Sequence, residues 1–157
     1  MVADPASPPA DPAHHARAAW IGLLARAAPA ELAACLDTAP PLPDFALLRG
    51  PQTGLVMLRG RAGGGGAPFN LGEMTVTRAS VRDAAGRIGH ATVRGRDAAH
   101  ALAAARLDAA LQDPGRHAAL RTAVLDPLAA SEAQRRSTLA RRAAATRVDF
   151  FTLATQR

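Results

Sequence analysis

Asp97 and His100 stand three residues apart where an Ala- and Leu-rich stretch begins, a spacing that puts both on one face of a helix. A carboxylate and an imidazole so placed can act as an acid–base pair, and the fork of the adjacent Arg96 suits an anionic substrate. Arg78, Arg82 and Arg94 precede this corner and, with Arg96, are the candidates for contact with phosphate or nucleotide. A plainer role is open to the same pair. Asp97 caps the helix, and His100 packs against a sheet or bonds a backbone carbonyl. No further catalytic group converges on them in sequence, which favours the plainer role.

The elements that must hold these residues can be read locally. Thr75–Arg82 and Arg87–Gly95 are rich in Val, Ile and Thr, and Asp83-Ala84-Ala85-Gly86 between them supplies turn chemistry. The stretch therefore predicts a β-hairpin running into a helix from about Asp97 to Gln112, with Ala103, Leu107, Ala110 and Leu111 toward the sheet.

The glycines at 63–66 lack the Gly-Lys-Ser/Thr and following helix of a phosphate loop, so they read as a hairpin loop. No serine sits in a Gly-x-Ser-x-Gly setting, and Cys35, the single cysteine, has no nearby base. His14 and His15 are adjacent but have no neighbouring ligands, and no metal set is predicted.

Residues 1–13 read as a Pro-rich disordered tail and 14–157 as one domain. A first helix is predicted from about Pro12 to Ala27, with Trp20, Leu23, Leu24 and Ala27 at helical spacing and Trp20 anchoring it to the sheet. Pro29 opens a second, Pro29–Asp37. Phe45–Arg49 and Leu55–Arg61, separated by a turn at Pro51–Gly54, join the hairpin to predict an antiparallel meander of about four strands. After Asp113-Pro114-Gly115, a helix begins near Arg116, and a long Ala/Arg helix runs from about Pro127 to Thr146. The fold class is α+β, a meander packed with N-terminal, central and long C-terminal helices.

Hydrophobic residues make up 48% of the chain but aromatics only 3%, so the core must be built largely of small side chains. Such a core is thin, and the chain is expected to lean on a partner. Asp149, Phe150 and Phe151 near the C-terminus are the candidate partner contacts, the two rings either closing the core or filling a groove on another subunit. The net charge is +6, and every basic residue is Arg. The arginines are scattered, Tyr is absent, and nothing alternates Phe with Arg. An RNA- or nucleotide-binding module is thus the weaker alternative to an anionic small molecule or an acidic protein surface. No apolar run reaches membrane-spanning length and no signal-peptide core is visible, so a cytoplasmic protein is expected.

Several stretches together are similar to one family. Thr53-Gly54-Leu55-Val56-Met57, Gly72-Glu73-Met74-Thr75-Val76-Thr77-Arg78-Ala79, Val81-Arg82, Gly95-Arg96-Asp97, His100-Ala101 and Arg147-Val148-Asp149-Phe150-Phe151 stand in the order and approximate spacing of the PhnG family. The Arg17–Leu36 stretch, with Trp20 and Pro29-Ala30-Glu31-Leu32-Ala33, resembles it as well. His90 and Thr92 depart from it, holding strand positions where that family carries aromatics. The resemblance implies a subunit of the bacterial carbon–phosphorus lyase system, assembled with PhnH, PhnI and PhnJ and working with PhnL. It further implies a complex in which a phosphonate displaces adenine from ATP to give α-D-ribose 1-methylphosphonate 5-triphosphate, with ATP and phosphonate as substrates and no cofactor in this chain. In that family the nucleosidase-like site is ascribed to PhnI and the radical C–P cleavage to PhnJ. An accessory subunit is therefore expected; the alternative is one that lends His100 and Asp97 to the reaction.

Overall fold

The computed structural model describes residues 12–61 and 66–146. Helix α1 (Pro12–Arg26) and helix α2 (Pro29–Thr38) come first, with a bend of 114° between them. Pro29 forces this break: its fixed φ suits a first helical turn, and its missing N–H is not needed there. Strands β1 (Phe45–Gly60), β2 (Phe69–Asp83) and β3 (Ile88–Arg94) follow in one antiparallel sheet of order β1-β2-β3. Helix α3 (Ala98–Leu111), helix α4 (Pro114–Leu120), a π-helical turn (Arg121–Leu125) and helix α5 (Asp126–Ala145) complete the described chain.

Among the described residues the sheet has three strands where the sequence pattern predicts about four. Pro51–Gly54 does not turn the chain; it lies inside β1. The register advances Arg49↔Ser80, then Gln52↔Arg78, so one extra β1 residue is absorbed there as a bulge, and a second between Leu47 and Arg49. Because β1 is an edge strand with one side unpaired, and because a bulge leaves a residue out of the ladder, a proline is tolerated. What read as two short strands is thus one long one, and β2 starts at Phe69, well before Thr75.

The hairpin at Asp83–Arg87 forms as its sequence dictates. Asp83 exchanges backbone bonds with Gly86 and Arg87, its carboxylate also takes the Arg87 N–H, and Gly86 supplies φ 85°. Gly95 (φ 87°) then swings the chain out of the sheet, and its carbonyl accepts from the Thr77 hydroxyl at 2.7 Å.

Helix α3 is the centre of the molecule. One side lies on β2 and β3, and the rest is enclosed by α1 and the helices that follow. It is buried almost all round, at Ala101, Ala104, Ala105, Leu107, Ala109, Ala110 and Leu111 among others, rather than along the single sheet-facing stripe its periodicity predicts. Gly89 on β3 makes this close approach possible: a Cβ there would meet the Ala105 carbonyl and Ala109 on the helix backbone. Around α3 gather Leu24, Leu32, Val81, Val93, Leu120, Val124 and Leu128. Each buried aliphatic chain of this size contributes about 1.5–3 kcal/mol.

Pro127 is absorbed differently. The helix widens just before it, and the Asp126 N–H reaches back to the Arg121 carbonyl. A proline in an unbroken helix would clash with the carbonyl four residues back, and the wider turn relieves that. Only Leu128 of α5 is buried, and Leu139 is exposed. No single helix among the described residues is long and apolar enough to cross a membrane.

Candidate functional site

The corner between β3 and α3 is built as the sequence predicts, and its two titratable residues are both engaged in holding the fold. Asp97 is the N-cap of α3, its carboxylate accepting the His100 N–H at 2.8 Å. The buried His100 ring lies with Nε2 2.8 Å from the Leu24 carbonyl. A carbonyl only accepts, so Nε2 carries the proton and donates, which ties α3 to α1. The side chains of Asp97 and His100 do not bond each other; the carboxylate meets only the histidine's backbone.

Both residues border a groove of about 710 Å³, with Arg94, Met74, Arg26 and, from α5, Glu132, Arg135 and Arg136 on its walls. Three of its arginines are tied down. Glu132 accepts from Arg26, Arg135 and Arg136 at 3.2, 3.3 and 3.0 Å, and Arg135 also reaches Glu31 on α2 at 2.8 Å. These bonds set the acidities. Hydrogen bonds from Arg135 and Ser131 hold Glu31 below the usual carboxylate range. Burial pushes Glu132 up, but the three guanidinium bonds outweigh it, and the net direction is down. Arg94 has no ion pair among the described residues.

The remaining sequence candidates are spread out. Arg78 and Arg82 are exposed on the sheet face away from α3, opposite Thr92 and Ile88, and do not line the groove. Arg96 is exposed in the link from β3 to α3. The structure thus brings Arg94, Asp97 and His100 to one groove and leaves Arg78 and Arg82 on another surface. Asp149, Phe150 and Phe151 lie outside the described residues, as does most of the 63–66 glycine run. Among the described residues, no three His, Cys, Asp or Glu side chains gather as a metal site. Burial, then the charge of Glu31, pushes the Cys35 thiol up, toward its protonated form.

The most heavily bonded polar group is one the sequence pattern does not single out. Asp108, fully buried on α3, accepts from Arg17 Nε at 3.1 Å, Arg17 Nη2 at 2.7 Å, Trp20 Nε1 at 2.9 Å and the His90 N–H at 2.9 Å. One carboxylate therefore fastens α1, α3 and β3 together. Trp20 anchors α1 to α3 through this bond and packs on His117 of α4 with ring centroids 5.4 Å apart, rather than lying on the sheet. The only sequence signal for Asp108 is a lone carboxylate in a helix whose other polar residues are His100 and Arg106.

Among the described residues the buried ionisable side chains Asp83, His100 and Asp108 are all occupied in hydrogen bonds that hold this α+β scaffold together. Comparison with known proteins gives the family. Residues 15–155 match the family described as phosphonate metabolism protein PhnG, and the chain belongs to it. It is 47% identical over 131 residues, 83% of either chain, to the alpha-D-ribose 1-methylphosphonate 5-triphosphate synthase subunit PhnG of Rhizobium meliloti (strain 1021).

Proposed function

We propose that this chain is an accessory, non-catalytic subunit of an α-D-ribose 1-methylphosphonate 5-triphosphate synthase, the complex in which a phosphonate displaces adenine from ATP during phosphonate breakdown. Its partners are PhnH, PhnI and PhnJ in a hetero-oligomeric core, with PhnL beside it, in the cytoplasm. ATP and the phosphonate are substrates of the complex. The observation that carries this reading is the 47% identity to a synthase subunit PhnG across 83% of both chains. The bonding at the corner supports the accessory role: His100 spends its donor on Leu24, and Asp97 spends its carboxylate on the α3 cap.

The test is His100→Gln in the reconstituted complex, assayed for adenine release from ATP with methylphosphonate. A glutamine amide can still donate to the Leu24 carbonyl but cannot relay a proton. A purely structural histidine predicts an assembled complex with activity within about threefold of wild type. A drop of about 100-fold or more with assembly intact, the scale of a lost general acid or base, would make His100 catalytic and overturn the reading.

A further inference from the structure

The β1–β2 hairpin runs on past the rest of the sheet. β3 pairs with β2 only between Val76 and Arg82, so Leu55–Gly60 and Phe69–Thr75 form a ribbon with no third strand among the described residues. At about 3.3 Å per residue the ribbon is ~20 Å long. Its side chains are not those of a solvated hairpin. Leu55, Met57 and Leu71 are 59%, 55% and 61% exposed, and Leu58 and Phe69 are exposed as well. Pairing places Leu55 and Met57 on one face, opposite Thr75 and Glu73, and Leu58 on the other, opposite Gly72.

Both faces of the ribbon therefore carry exposed apolar groups, and a flat surface could cover only one of them. A two-stranded ribbon alone is marginal in water, and clustered exposed apolar side chains mark interaction sites. The charge nearby selects the occupant. Arg59 lies on the ribbon and Arg61 just beyond it, and Arg49, Arg78 and Arg82 are exposed on the adjoining outer sheet face. None of the five has an ion pair among the described residues, and Glu73 is the one carboxylate on the ribbon's described residues. A second copy would bring the same arginines face to face.

We propose that the ribbon inserts into an apolar cleft bordered by carboxylates on a different subunit of the complex. This rests on the reading of the chain as a synthase subunit and adds the surface by which it docks. Insertion covers a hairpin that no third strand backs among the described residues, and the arginines fix its direction.

The full chain is co-expressed with PhnH, PhnI and PhnJ and followed by size exclusion with light scattering. Wild type is expected to co-elute with them. The Leu55→Ser, Met57→Ser, Leu71→Ser triple variant is expected to lose association by 100-fold or more. Its circular dichroism and melting should stay those of wild type, because all three side chains lie outside the core. A second variant, Arg59→Glu with Arg61→Glu, should weaken association about tenfold and leave a shallower salt dependence. Co-elution of both variants at wild-type strength would overturn the docking while leaving the subunit role standing. Failure of the wild-type chain to co-elute would overturn the subunit role and the docking with it. An isolated chain that is a dimer in wild type and a monomer in the triple variant would make the occupant a second copy. Ribbon amides that exchange faster in the isolated chain once residues 147–157 are removed would make it the chain's own C-terminal segment. Either result refutes the proposal.

Discussion

Replacing Asp108 by Asn should be among the most damaging conservative changes in this chain. The carboxylate is fully buried and takes two bonds from Arg17, one from Trp20 and one from the His90 backbone. An asparagine of the same shape keeps one acceptor and turns an N–H₂ toward donors. Two charge-assisted bonds are lost, each contributing about 1.5–3 kcal/mol. The Arg17 side chain is 31% exposed, so water recovers part of its solvation, and the sum must be discounted. We expect a net destabilisation of about 2–4 kcal/mol. For a chain of this size that lowers the melting midpoint by ~5–15 °C. Urea unfolding monitored by far-ultraviolet circular dichroism would measure it, with an unchanged m-value if only stability has moved. A cycle with Arg17→Met should show a coupling of about 1–3 kcal/mol. Asp108→Asn within about 0.5 kcal/mol of wild type, or strictly additive losses in the cycle, would refute the claim that this carboxylate holds three elements together.

Gly89→Ala should destabilise by about 3 kcal/mol, because the added Cβ meets backbone atoms of α3 at Ala105 and Ala109 that cannot swing aside. Gly54→Ala, with open space around its Cβ, is the control, and equal melting points for the two variants would sink the packing account. Acid should unfold the protein through Glu31, Glu132 and Asp83, the last pushed up by burial but held down on balance by Arg87. All three are depressed in the folded state, so the stability they contribute is present above their ordinary values near 4.5 and 3.8 and is lost as pH falls through the folded values. Arg135→Met should therefore flatten the acid limb of unfolding free energy against pH. A limb of unchanged slope would show that these pairs carry none of it.

The helices were legible because their ends are written in the sequence. Pro29 begins α2, Asp97 caps α3, and Gly86 and Gly95 mark two places where φ turns positive; α4 starts at Pro114 under an Asp113 cap, two residues before the start read near Arg116. The strand count was not legible, since Gly50-Pro51-Gln52-Thr53-Gly54 has the composition of a turn. Whether such a run turns or bulges depends on which edge of the sheet it occupies, and that is settled by pairing with Ser80 and Arg78 some thirty residues later. Asp97 and His100 were found, yet their bonds to the α3 cap and to Leu24 were visible only as one of two roles.

The surfaces were harder to read, and for one reason. Side-chain type does not report burial: Leu55–Arg61 reads as a strand with no sign of what covers it, and Asp108 is not singled out. The structure settles both. Leu55 and Met57 are exposed where the β1–β2 hairpin runs on past β3, and Asp108 is buried because α3 is covered on every side by small residues that let other elements close over it. In an Ala-rich chain these are two effects of one cause. Small side chains let backbones approach, and a buried carboxylate with four donors then fastens elements that little bulky packing would hold. The large aliphatic residues so spared from the core are free to sit exposed on β1.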